Sequence, residues 1–283
     1  MKPDFKRDFH YVWLGETPHE LNLVQYLSIA SVIKYCKPDS ITIWSETEIC
    51  GEYFEKIKQY VQVEQIQREK SIFGNPIIYT ELHAWSDIYR NLIIYEQGGI
   101  YCDFDIIWCK EIDSLLNQID SFAIADQGVN GREGCNMGVM IGEKGSKFCE
   151  HYLALYQVYG EYEQKNHIGL FSTAYPKQIT IQHPESVTVL PYDTFHWPMY
   201  HMKSLEWFYF STPDQYDSLV DPLSGQRSSD QLLTNYAHHC FGTHWEGIKG
   251  RITEEFILTQ DTSFTRKVRP VLQYGKDNFL YTE

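Results

Sequence analysis

Apolar positions recur along this chain with two different periods. Between Thr80 and Gln97, Leu82, Trp85, Ile88, Tyr89, Leu92 and Ile93 return at helical spacing and predict an amphipathic helix. Asp87 and Arg90, three positions apart, fall together on its other side. Gly98-Gly99 stops that helix, because glycine tolerates the left-handed conformation of a C-cap. From Ile100 to Ile107 the period drops to two. Ile100, Cys102, Phe104 and Ile106 point to one strand face, and Tyr101, Asp103 and Asp105 to the other.

Upstream, Phe9 to Leu14, Ile41 to Trp44 and Val61 to Ile66 read as strands. Helical patterns over Glu20 to Tyr35 and Glu46 to Tyr60 separate them. This alternation predicts an α/β fold with a mostly parallel, Rossmann-like central sheet and helices on both faces. Such sheets bind ligands beyond the carboxyl ends of their strands, where Asp103 and Asp105 are expected. After Lys110 the pattern loosens. Glu111 to Gln118 and Lys144 to Tyr159 read as helices, and Phe122 to Ala125, Asn136 to Gly142, Val187 to Leu190 and Leu232 to His239 as strands. Tyr192 to Phe210 is dense in aromatics without a period, and Arg251 to Glu283 is weakly patterned. No repeat or linker divides the chain, so one domain with two halves is expected.

Composition narrows the chemistry. The 283 residues suffice for a sizeable core, and 43% apolar content fits a globular protein. A net charge of −14 disfavours nucleic acid and anionic membranes as nonspecific partners. An acidic protein that uses an anionic substrate needs a local cation. Seven scattered cysteines without a CxxC pair argue against a disulfide framework or a zinc site, and for a reducing compartment. No apolar run reaches about 18 residues, so no transmembrane helix is expected. No signal peptide is evident, which suggests a cytoplasmic protein.

Four groups of residues carry candidate chemistry. Asp103 and Asp105, flanked by Gly-Gly and Ile-Ile-Trp rather than by turn residues, suit a divalent cation and a diphosphate. Their hard oxygens favour magnesium, manganese or calcium over zinc or copper. Asp87 and Arg90 are either an exposed helix ion pair or a contact beside the same cleft, binding sugar hydroxyls and phosphate. His238-His239 reads either as half-buried histidines or as the source of an imidazole that completes the carboxylate site. Trp13, at the end of the first strand, is either a core residue or a stacking face in the ligand crevice.

Taken together, HYVWLG near the N-terminus, SDIYR in the helix, GGIYCDFD after it and a late His-His…Trp element resemble the DxD sugar-transferase family. This is glycosyltransferase family 32, which includes yeast initiating mannosyltransferases and bacterial capsule and O-antigen enzymes; the large clostridial glucosylating toxins share the motifs. The resemblance covers about the first 110 residues well and the rest sparsely. It implies a GT-A fold, a nucleotide-sugar donor, Mn2+ or Mg2+, and transfer with retention of anomeric configuration. By the same resemblance Trp13 stacks on the donor base, Asp87 and Arg90 hold the donor sugar, and Asp103 touches ribose, sugar or metal. Asp105 becomes the main metal ligand and His239 a third, with His238 the alternative. Asn136 and Trp245 fall on the donor side. The family's late Ser-Trp reads Gly-Thr-His-Trp here, which opens the register of the two histidines and leaves Thr243 or His244 in place of the serine.

The expectation is therefore a hexosyltransferase. Residues 1–110 form the nucleotide-sugar half, 111–250 the acceptor half and 251–283 a C-terminal segment. Cation, Asp103, Asp105 and Arg90 are expected to stabilise the leaving diphosphate, UDP by resemblance. The acceptor, a glycan or lipid-linked oligosaccharide of capsule or O-antigen synthesis, is expected against Trp197, Tyr200 and Trp207, whose rings can stack on sugars. The basic run Arg266-Lys267-Val268-Arg269 is either plain surface or a contact with the inner face of the cell membrane. Two other classes stay open: a metal-dependent phosphohydrolase with the same carboxylates, and a non-enzymatic carbohydrate-binding protein.

Overall fold

The computed structural model describes residues 5–77, 82–199, 203–220, 235–241 and 249–279. Among the strands used below are β1 (Asp8–Trp13), β2 (Ser40–Ser45), β3 (Gln62–Gln65), β4 (Gly99–Cys102), β5 (Ile106–Trp108), β6 (Phe122–Asp126), β7 (Cys135–Gly142), β8 (Thr188–Leu190) and β9 (Ala237–His239). Seven of them form one sheet in the order β8-β6-β7-β4-β1-β2-β3. The β4-β1-β2-β3 run is parallel, β6 and β8 are also parallel to each other, and β7 runs antiparallel to both β6 and β4.

The strand alternation sorts side chains into two cores. Phe9, Tyr11, Ile100, Cys102, Ala123, Val139 and Ile141 pack on one face with the helices Leu23–Ser31 and Ser263–Asn278. Val12, Tyr101, Phe122, Ile124 and Met140 pack on the other with the helices Leu82–Gln97, Lys147–Ala154 and Tyr175–Gln182. The mostly parallel sheet covered on both faces is thus present, as the alternating pattern predicts.

The chain leaves β1 toward β2 on one side and returns through β4 on the other. That reversal opens a crevice at the carboxyl ends of β1 and β4, beside Trp13 and Asp103. Gly98 and Gly99 deliver the chain into β4 with φ of +74° and +97°. A Cβ on Gly99 would stand 2.4 Å from the Asp8 carbonyl oxygen, so β4 can lie against β1 only with glycine there.

Three expectations need correction. The continuous strand from Ile100 to Ile107 breaks into β4 and β5, and Asp103 to Asp105 form the turn between them, closed by Ile106 N donating to Asp103 O at 3.1 Å. β5 leaves the main sheet and pairs antiparallel with β9. The helix expected from Glu46 is shorter, Glu52–Ile57, because Ile49–Cys50 pairs with His19–Glu20. The weakly patterned C-terminus contains a 16-residue helix, Ser263–Asn278, capped by Thr262 and carrying Phe264, Val268, Val271 and Leu272 into the core despite Pro270.

Candidate active site

A cavity of about 760 Å³ opens at the ends of β1 and β4, within the usual size for a small-molecule site. Trp13, His19, Asn22 and Gln25 line one wall; Asp103, Asp105, His239 and Phe241 line the base; Gln127, Asn136, Ile168, Ser172 and Thr173 line the opposite side.

The turn between β4 and β5 aims both carboxylates into this space. It is held by backbone: Asp103 N donates to Gly138 O, and Cys240 N to Asp105 O, each at 2.8 Å. His239 arrives from β9, which β5 positions through the pairing of His239 with Ile106. Its Nε2 lies 3.4 Å from Asp105 Oδ1. One donor atom each from Asp103, Asp105 and His239 falls within 4.8 Å of the others. A cation with bonds of about 2.1 Å holds neighbouring octahedral donors about 3 Å apart and opposite ones about 4 Å apart, so a modest contraction brings the three into reach. Two carboxylates with one imidazole fit a hard divalent ion such as Mn2+ or Mg2+.

Gly138 makes the convergence possible. A Cβ there would stand 2.8 Å from Asn136 Oδ1, 3.0 Å from Asp103 Oδ2 and 3.4 Å from the His239 ring. Asn136 is fixed by accepting from Gly138 N at 2.7 Å and donating to Gln127 at 3.1 Å. It lines the cavity, as does Trp13, whose ring stacks on His19 at 3.4 Å between centroids and 14° between planes.

Asp87 and Arg90 do not form an exposed pair, and neither reaches the cavity wall. Both are buried behind Asp103. Arg90 bonds Ser86 Oγ at 3.0 Å and Met137 O at 2.9 Å, and lies 3.2 Å from Asp87 and 3.4 Å from Asp103. Asp87 also accepts from His167 and Ser172. Burial opposes charge on Arg90, but Asp103, Tyr101 and Asp87 outweigh it and push its pKa up. Burial also raises Asp103 above the usual carboxylate range, with Arg90 pulling the other way and Asp105 adding to the rise. Burial lowers the His239 pKa, and the Asp105 carboxylate more than reverses this.

Two expected contacts are overturned. His238, next along β9, points away from the cation cluster: it bonds the Tyr209 hydroxyl at 2.6 Å and faces Trp197 O at 3.3 Å, and burial pushes its pKa down to about 3. Trp197 is fully buried against Tyr192 and offers no face to a sugar. Trp207 is 38% exposed on the helix Lys203–Phe210 but lies outside the cavity lining. Tyr200, Thr243, His244 and Trp245 lie outside the described residues. Both arginines of the basic run are engaged by the segment just before their helix: Arg266 pairs with Asp261, and Arg269 donates to the carbonyls of Ile257 and Gln260.

Sequence reasoning missed His19, Asn22, Gln25, Gln127, Gly138 and Ser172. The pair Asn22 and Gln25 was findable, since N-x-x-Q before an apolar run is a capping box, and both halves of that box are formed. The others carry no local signal.

Residues 24–122 match the family described as glycosyltransferase sugar-binding region containing DXD motif. A relative, glucan organizing enzyme 1 of Cryptococcus neoformans var. grubii serotype A, is 26% identical over 283 residues, spanning 96% of this chain and 72% of that protein. Similar solved structures include the PaToxG glycosyltransferase, at 17% identity over 64% of this chain and 70% of that one, with a TM-score of 0.49. Another is the glycosyltransferase GlyE of Streptococcus pneumoniae TIGR4, at 13% identity over 96% of this chain and 60% of that one, with a TM-score of 0.48. Among the described residues no helix is long and apolar enough to cross a membrane.

Proposed function

We propose that this chain, a glycosyltransferase whose residues 24–122 form a sugar-binding region with the DXD motif, moves a hexose from a UDP-sugar to a glycan or lipid-linked oligosaccharide with retention of configuration. The carrying observation is the convergence of Asp103, Asp105 and His239 with Trp13 in one cavity at the sheet's reversal point. We read the whole chain as one GT-A type unit.

In this reading Asp103, Asp105 and His239 would hold the cation. When bound, a divalent ion neutralises the charge that develops on the diphosphate as the anomeric bond breaks. Arg90 acts from behind: its guanidinium fixes the Asp103 carboxylate, and with Asp87 it braces the helix against β7. Trp13 and His19 form the aromatic wall for the base, and the amides of Gln127 and Asn136 meet donor hydroxyls. Apart from Asp103 and Asp105, the described polar residues of the cavity are neutral amides, hydroxyls and histidines. This supports attack from the leaving-group side, with a phosphate oxygen taking the acceptor's proton. The likeness to a glucan organizing enzyme supports a polysaccharide acceptor, and we place the reaction in surface polysaccharide synthesis at the inner face of the cell membrane.

The test is product analysis with Mn2+, a UDP-hexose and a glycan acceptor. A glycosylated acceptor of unchanged anomeric configuration is expected, and Asp105→Ala should reduce its formation by at least about 100-fold with the circular dichroism spectrum intact. Free hexose or hexose phosphate without acceptor product would make the protein a hydrolase instead.

A further inference from the structure

His196 is fully buried, lies outside the cavity lining and has no part in the mechanism above. Its Nδ1 stands 3.3 Å from Nδ1 of His239. The far nitrogen of His239, Nε2, is the one that faces Asp105. A ring whose Nε2 lone pair is directed at a cation carries its proton on Nδ1. That proton needs an acceptor, and the described atom in position is Nδ1 of His196. Two Nδ1 atoms at this distance can bond only if one is protonated and the other bare. His196 must then hold its own proton on Nε2, a buried atom that meets no hydrogen-bond partner among the described residues.

The surroundings keep the arrangement in place. Phe241 stacks on the His239 ring at 4.0 Å and 17°, closing one face. His196 N donates to Tyr192 O at 2.8 Å, and His239 N to Phe195 O at 2.9 Å, so the backbone around His196 anchors both rings.

We propose that His196 is a positioning residue, whose bare Nδ1 accepts from His239 and fixes that ring in the tautomer with its Nε2 lone pair aimed at the Asp103–Asp105 pair. The inference rests on the reading of Asp103, Asp105 and His239 as cation ligands. Carboxylate and carbonyl partners are the usual acceptors in this role; here a second imidazole supplies it.

The experiment measures Mn2+ binding by the loss of the free-ion electron paramagnetic resonance signal, without donor or acceptor. His196→Phe keeps a ring but removes the acceptor and should weaken Mn2+ binding about 10- to 100-fold. His196→Asn, whose Oδ1 can take the place of Nδ1, should restore the wild-type range. Wild-type affinity in His196→Phe, with loss in His239→Ala, would overturn the role of His196 and leave the cation site standing. Wild-type affinity in both His239→Ala and Asp105→Ala would overturn the cation site itself. If the His196 variants fail to fold, imidazole 15N shifts of the wild type with Mg2+ bound decide: His196 bare on Nδ1 and protonated on Nε2 supports the proposal, and His196 protonated on Nδ1 refutes it.

Discussion

Gly138 shows how much a single missing side chain organises. Asn136 Oδ1, Asp103 Oδ2 and the His239 ring all crowd the place where its Cβ would be. Asn136 cannot withdraw, because its oxygen is held by Gly138 N itself. Gly138→Ala should therefore displace Asp103 and weaken Mn2+ binding about 10-fold, with little change in melting temperature. Unchanged affinity in a titration would mean that the carboxylates have more room than these contacts indicate. The motif residues Asp103 and Asp105 were legible from the sequence because two hard ligands between apolar runs suit few other purposes. Gly138 was not, since its importance lies in what approaches it from β9 and from the turn. The choice between His238 and His239 was equally hidden. Adjacent strand residues face opposite ways, and only the pairing of β9 with β5 decides which faces the cluster.

The elements divide along the same line. β1, β2, β6 and β7 coincide closely with their apolar runs, as buried strands should, and β3 and β8 match their runs as exposed outer strands of the sheet. The Gly-Gly stop after the helix Leu82–Gln97 was equally plain. The break at Asp103 was not, because alternation continues across it: Phe104 and Ile106 still join the same core as Ile100 and Cys102. Backbone bonds from Gly138 and Cys240 make the turn, and neither is near in sequence. The aromatic stretch 192–210 shows a second limit. Its rings looked available for sugar stacking, yet Trp197 is fully buried and Tyr209 is tied to His238. Trp197→Ala should cost about 3–5 kcal/mol in urea unfolding, whereas Trp207→Ala should stay within about 0.5 kcal/mol. A raised acceptor KM in Trp207→Ala at unchanged stability would instead bring the acceptor across the helix Lys203–Phe210.

For the molecule as a whole, the cavity predicts linked binding. UDP and Mn2+ together should raise the melting temperature more than either alone, since the diphosphate and the cation share one site. At a hundredfold excess over Kd the gain is about 2.7 kcal/mol. Equal shifts with GDP or ADP would remove the preference for uridine, and a full shift from UDP without metal would separate the diphosphate from the carboxylates. The order of elements, the two-faced sheet and the presence of a carboxylate pair were determined by the sequence alone, because periodicity and residue type act locally. The buried brace of Asp87 and Arg90, the approach of His239 on β9 to the carboxylates and the wall from residues 168–173 were decided only by the tertiary structure. Arg90 meets Asp103 across 13 positions, and His239 meets Asp105 across 134. No local pattern encodes which distant side chains meet; packing two cores against one sheet and leaving a crevice at its reversal point does.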